Sequence, residues 1–216
     1  MRLLILGASG GCGQWLTRLA AERHDVTALV RSDSAFAPRP DVAVRRGDVT
    51  DPAALDAALP GHDVVLSCLG LRRAGRSPWA PLRSPVDLTA RVTRALVPAM
   101  QRHGVRRLVA VSAAGVADSF EQCAWPVRRL VTTANVGVAY RDLAEMERLL
   151  VASDVLDLDW LAVRPVTLVD GAPSGRARPV ERYGFLSTVR RGDVAAFMLA
   201  AAEGAYLGRR AEMIGA

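Results

Sequence analysis

The seven residues Gly7-Ala8-Ser9-Gly10-Gly11-Cys12-Gly13 carry the strongest chemical signal in this chain. Glycines stand at 7, 10 and 13, after the apolar run Leu3 to Leu6 and before an amphipathic stretch with Trp15, Leu16 and Leu19 on one face. Gly7 permits a tight turn out of a strand. Gly10 lets the backbone approach a pyrophosphate, and Gly13 lets the following helix pack closely on the strand. The free N–H groups at such a helix start face phosphates, and the helix dipole adds attraction. Ser9 offers a hydroxyl donor, and Gly11 and Cys12 complete the loop. Because a strand precedes the glycines and a helix follows, the pattern predicts dinucleotide binding rather than a flexible turn.

The end of the second strand decides which dinucleotide. A site selective for NAD places a carboxylate there to accept bonds from the ribose 2′-hydroxyl. This chain has Arg31, and a guanidinium suits a 2′-phosphate. Asp33 follows two residues later, so NAD(H) stays open while NADP(H) is favoured. Asp48-Val49 follows the third strand, where Asp48 can accept a bond from the adenine amino group. Asp51, before Pro52, is expected to cap a helix instead. Leu69-Gly70 closes a small loop after the fourth strand, suited to close approach by a cofactor.

Composition narrows the chemistry. The formal charge is +6, yet the basic residues are dispersed with only short pairs, so a nucleic-acid surface is not expected. All 28 basic residues are arginine, which excludes mechanisms built on a lysine base, Schiff base or P-loop lysine. Cys12, Cys68 and Cys123 lack metal-ligand spacing and read as reduced thiols of a cytoplasmic protein, with no metal site. No apolar run suggests a membrane span or a signal peptide.

The elements that must position these residues alternate. Strands are expected at Arg2–Leu6, Asp25–Val30, Val42–Arg45, Asp63–Leu66, Arg107–Val111 and Asp159–Val163, with a short terminal strand at Ala211–Ile214. Helices are expected at Cys12–Arg23, Pro52–Leu59, Pro85–Arg102, Val138–Ser153 and Val194–Ala202. The segment 115–135 is read as irregular, and 170–187 as loop with one short strand at most. This order predicts an α/β Rossmann-type doubly wound parallel sheet with helices on both faces and a small C-terminal substrate-side region. One domain is expected over 1–216, with substrate-side elements mainly at 115–137 and 166–190.

With Gly47-Asp48-Val49 and the run GVRRLVAVSAA from Gly104 to Ala114, the glycine loop resembles the atypical short-chain dehydrogenase/reductases. Glu145-Met146-Glu147-Arg148-Leu149-Leu150, Asp159 to Pro165 and Arg191-Gly192-Asp193-Val194-Ala195 are similar to the NAD(P)H-binding group that holds NmrA-like proteins and biliverdin reductase B/flavin reductase. The resemblance implies that Ser112, at the fifth strand, contacts the nicotinamide ribose or a substrate carbonyl. Arg164 and Pro165, at the end of the sixth strand, join the expected cofactor contacts. The tyrosine–lysine catalytic pair of the wider family is absent, since Tyr140 is followed at that spacing by Ala144. The flavin reductase's serine and histidine positions correspond to Ala113 and Thr167.

Hydride transfer to a flavin or quinone needs alignment and a dry site more than a strong protein acid. Ser112 and Tyr140 are the candidate catalytic groups. Tyr140 is read as a proton donor or as half-buried packing, and Arg164 as a ligand or as a structural partner of Glu147 or Asp142. His24, His62 and His103 are read as surface residues. The expected function is NADPH-dependent reduction of a small acceptor, a flavin, quinone or carbonyl compound, by a monomer or homodimer. The alternative is a non-catalytic NADP(H)-binding redox sensor of NmrA type.

Overall fold

The computed structural model describes residues 1–216 apart from 38, 76, 154–156, 207 and 209. The strands are β1 (Arg2–Leu6), β2 (Asp25–Val30), β3 (Val42–Arg46), β4 (Val64–Ser67), β5 (Arg107–Val111), β6 (Asp159–Pro165), β7 (Thr167–Val169), β8 (Arg178–Pro179), β9 (Thr188–Arg190) and β10 (Arg210–Gly215). The helices are α1 (Gly11–Ala21), α2 (Pro52–Ala58), α3 (Leu88–Arg102), α4 (Trp125–Thr133), α5 (Val136–Ala152) and α6 (Arg191–Ala202).

Successive side chains of a strand point to opposite faces. Along β1, Leu3 and Ile5 enter one apolar cluster while Leu4 and Leu6 enter another. A strand buried on both sides needs cover on both sides. α1 and α6 supply one cover through Leu16, Ala20, Val194 and Met198. α2, α3 and α5 supply the other through Leu55, Leu96, Met100 and Leu150. The main sheet runs β3-β2-β1-β4-β5-β6-β10-β8, with every pairing parallel except β10 with β8. This is the Rossmann-type doubly wound order. Between β1 and β4 the strand order reverses, and such sheets bind ligands at the carboxyl ends beside that point.

Polar caps fix the helices beneath the site. Asp51 accepts the Ala53 N–H at 3.0 Å, as expected of a residue before Pro52. Asp142 on α5 caps α3, accepting the Thr89 N–H at 2.9 Å, the Thr89 hydroxyl at 2.7 Å and the Ala90 N–H at 2.9 Å. α3 therefore begins at Leu88, three residues later than its sequence suggests.

One segment differs from expectation, 115–135, while 170–187 is loop with one short strand as expected. Residues 115–135 hold a short 3-10 turn, Ala117–Gln122, and the nine-residue helix α4. α4 is short, and of its apolar residues only Val127 is fully buried while Val131 packs partly on the core. Residues 170–187 contain the two-residue β8, and β7 and β9 form a separate parallel pair. Neither pairing has a hydrophobic run long enough to announce it. No helix among the described residues is long and apolar enough to cross a membrane.

Candidate active site

The glycine loop leaves β1 through Gly7 at φ +77°, a left-handed conformation that glycine adopts without strain. The Gly10 N–H donates to the Gly7 carbonyl at 3.0 Å and closes the turn. A Cβ on Gly13 would stand 2.1 Å from the Gly7 carbonyl oxygen, so α1 sits this close to the loop only with glycine there. The first N–H groups of α1 are thereby presented at the carboxyl edge of the sheet.

From this loop a cleft of about 870 Å³ opens between the ends of β1, β2 and β4. Gly7, Ser9, Gly10, Arg31, Asp48, Val49, Leu69 and Gly70 line it, so these expected contacts share one cavity. Gly11, Cys12 and Gly13 belong to the same loop but lie just beyond the cleft wall. Arg31 is half exposed, with its Nε 3.5 Å from the Asp33 carboxylate. Asp48 turns inward on its own loop, accepting the Thr50 N–H at 2.8 Å and the Thr50 hydroxyl at 2.9 Å. Those bonds, led by the backbone N–H, hold its carboxyl below the usual range. Asp48 is therefore an ionised acceptor at neutral pH.

Five arginines line the cleft, Arg18, Arg31, Arg39, Arg72 and Arg83, against two carboxylates, Asp33 and Asp48. This surplus fits a ligand carrying several negative charges, and the volume falls in the range of small-molecule sites. Four of the five escaped sequence reasoning. Arg72 and Arg83 are brought together by a hairpin in which the Arg83 N–H donates to the Arg72 carbonyl at 2.7 Å. No spacing rule links residues eleven apart in an irregular excursion. Arg46 also matters: its guanidinium reaches the carbonyls of Ser32 and Ser34 at 3.2 Å each and props the loop that carries Arg31.

On the other side of β4 the expected reaction residues are otherwise engaged. Ser112 is buried, and its hydroxyl donates to Glu147 Oε1 at 2.5 Å. Arg164 is buried as well, with Nε 3.0 Å from Glu147 Oε1 and Nη2 2.6 Å from Asp118 Oδ1. Burial alone would lower the guanidinium's pKa, but the two carboxylates raise it above its ordinary value. The side chains of Ser112 and Arg164 thus meet on one carboxylate, Glu147. Of the two carboxylates expected beside Arg164, Glu147 pairs with it, and Asp142 caps α3 instead. Pro165 is buried at the end of β6, and its carbonyl accepts the Ala114 N–H at 2.9 Å.

Tyr140 is half buried against Val116, Leu143 and Met146. Burial, with Tyr183 and Cys123 nearby, pushes its phenol well above the ordinary value. It stays protonated at any physiological pH, so it can donate a hydrogen bond but cannot act as a base. A second hydroxyl pair, Thr167 Oγ1 and Tyr183 Oη, lies 2.7 Å apart near Cys123. Tyr183 stood in no motif and was missed. His24, His62 and His103 pair with Glu203, the Leu59 carbonyl and Asp56, away from the cleft.

Comparison with known proteins agrees with this geometry. The profile of a family described as NAD(P)H-binding matches residues 7–204. A lipid-linked N-acetylglucosamine 4-epimerase of Escherichia coli O157:H7 is 32% identical over 114 residues, 53% of this chain and only 33% of the epimerase. The chain thus spans about a third of that curated relative. Among solved structures, a Burkholderia pseudomallei protein whose name suggests export is 29% identical, with TM-score 0.72 and full coverage of both chains. ChuY, an anaerobilin reductase of E. coli O157:H7, is 24% identical with TM-score 0.74, covering 99% of this chain and 96% of its own. A wide-type short-chain dehydrogenase/reductase of Veillonella parvula, solved in complex with NADP, is 18% identical with TM-score 0.78, covering 100% and 94%.

Proposed function

The chain belongs to the NAD(P)H-binding, atypical short-chain dehydrogenase/reductase family, and on that premise we propose that it is an NADPH-dependent reductase of a small planar acceptor such as a flavin or quinone. The observation that carries this reading is the cleft itself, where the glycine loop opens onto a wall of five arginines. Arg31 stands at the end of β2, where a 2′-phosphate would lie, and its guanidinium pairs with the exposed Asp33. The nicotinamide, when bound, supplies the hydride. The chain's own residues bind and orient. Gly7 to Gly13 cradle the diphosphate, Arg31 takes the 2′-phosphate, and Asp48 accepts from the adenine. Val49, Leu69 and Gly70 shape the apolar walls.

We assign the acceptor side to 115–137 and 166–190 within one domain. Tyr140 is the proposed donor there, offering a hydrogen bond from a phenol that burial keeps protonated. ChuY's name as an anaerobilin reductase supports a flat, conjugated acceptor. The three cysteines are free, which fits a reducing cytoplasm. Cell fractionation would decide between this location and the export that the Burkholderia relative's name suggests.

The assay is NADPH oxidation by purified protein with FMN or a quinone, repeated with Arg31→Glu. Turnover that falls in the variant supports the proposal. A second reading, an NADP(H)-binding redox sensor, draws on one observation: the Ser112 hydroxyl is already donated to Glu147. Tight NADPH binding with no turnover on flavin, quinone or carbonyl acceptors would select it.

A further inference from the structure

α6 begins with Arg191, whose side chain is only partly exposed. It lies across the first residue of α1. A Cβ on Gly11 would meet Arg191 Cδ at 2.7 Å and Nε at 3.1 Å. The charge of the guanidinium also acts on the Cys12 thiol, opposing the upward push of burial on its pKa. Arg191 Nε donates to Asp170 Oδ1 at 2.9 Å, and that carboxylate is itself largely exposed. Cys12 adjoins Cys68, which lines the cleft. The guanidinium therefore stands over the start of α1, one residue beyond Gly10, which lines the cleft.

This position has a geometric meaning. A dinucleotide whose adenosine lies beside Arg31 and Asp48 must cross the glycine loop to reach the acceptor side. Its diphosphate then passes over Gly11 and Cys12, beneath Arg191. Backbone N–H groups alone would face two phosphate charges there, and a guanidinium matches phosphate oxygens in fork geometry. Resting on Asp170, the guanidinium is kept extended beside the loop, so little is lost in ordering it when an anion arrives.

We propose that Arg191 is the side-chain ligand of the cofactor diphosphate, held ready over Gly11 by Asp170. This rests on the dinucleotide reading above. A side chain at residue 11 would displace the guanidinium from this place. The contact ties α6, and through Asp170 the segment after β7, to cofactor binding.

The test is fluorescence titration of wild-type protein, Arg191→Gln and Arg191→Lys with NADPH and with adenosine 2′-monophosphate, which lacks the diphosphate. Melting temperature serves as the folding control. Arg191→Gln is expected to weaken NADPH by about 10- to 100-fold, the range for a hydrogen bond to a charged group, and to leave the monophosphate unchanged. Arg191→Lys should recover part of the loss. Unchanged NADPH affinity, or equal weakening of both probes, would overturn the assignment. If wild-type protein binds neither NADPH nor NADH, the dinucleotide reading itself fails, which is a different outcome.

Discussion

The Ser112 hydroxyl lies 2.5 Å from Glu147, and Arg164 grips the same carboxylate through both oxygens. All three residues are buried. This triad ties the end of β5 to α5 and β6, directly under the expected reaction site. A buried ion pair is costly to break from one side because the remaining charge loses its partner. Glu147→Leu is therefore expected to destabilise the protein by about 3 kcal/mol, near the lower end for an orphaned buried charge because Asp118 still faces Arg164. Ser112→Ala should cost only about 1 kcal/mol, the net value of one hydrogen bond. Urea unfolding of the two variants measures the contrast. If Ser112→Ala also removes most of the turnover, the hydroxyl acts in the reaction and the framework role is wrong.

On the proposed reading Arg31 governs the choice of cofactor. Arg31→Glu should weaken NADPH by about 10- to 100-fold through loss of a charge-assisted contact and added repulsion. NADH, which has no 2′-phosphate, should bind unchanged or tighter. Parallel titrations with both cofactors read this directly, and equal losses would remove Arg31 from the 2′-phosphate site.

Gly13 tests the loop geometry without touching any charge. A Cβ at this position meets the Gly7 carbonyl oxygen at 2.1 Å, which backbone must move to avoid. Gly13→Ala should cost about 2 kcal/mol by overpacking, lowering the melting temperature by roughly 4–8 °C in a chain of this size. Gly10→Ala is the control, because its Cβ would stand 3.3 Å from the same oxygen. It should cost less stability than Gly13→Ala.

Asp193 sets a pH dependence. Its carboxylate accepts the Ser174 N–H at 2.6 Å, the Ser174 hydroxyl at 2.7 Å and the Gly175 N–H at 2.9 Å. Burial would raise its pKa, but these bonds prevail and hold it below the usual carboxylate value. A group lowered on folding stabilises above its unfolded pKa of about 3.9, and that stability is lost as pH falls through the lower folded value. Asp193→Asn should thus cost about 1–3 kcal/mol at pH 7. The gap between the two proteins should close below about pH 4. Denaturant midpoints from pH 3 to pH 7 trace it, and a constant gap across that range would rule the linkage out.

Much of the fold was legible because its signals are local. The apolar run Leu3 to Leu6, the glycine spacing and the Asp51-Pro52 cap each act within a few residues. α4 was not read, since its apolar residues Val127, Leu130 and Val131 span barely one turn and only Val127 is fully buried. The short pairs β7 with β9 and β8 with β10 owe their existence to partners already placed by the sheet.

The site divides in the same way. By itself the sequence determined the glycine loop, Arg31, Asp48 and the absence of lysine, which together specify an anionic dinucleotide and exclude lysine-dependent chemistry. Only the tertiary structure decided where the remaining charges go. It brought Arg72 and Arg83 into the cleft by a hairpin and laid Arg191 over Gly11 from 180 residues away. It also turned Ser112 and Arg164 inward onto Glu147. The physical reason is range: backbone conformation follows from neighbours in the chain, whereas a side chain's partner is set by packing between elements that no local spacing records.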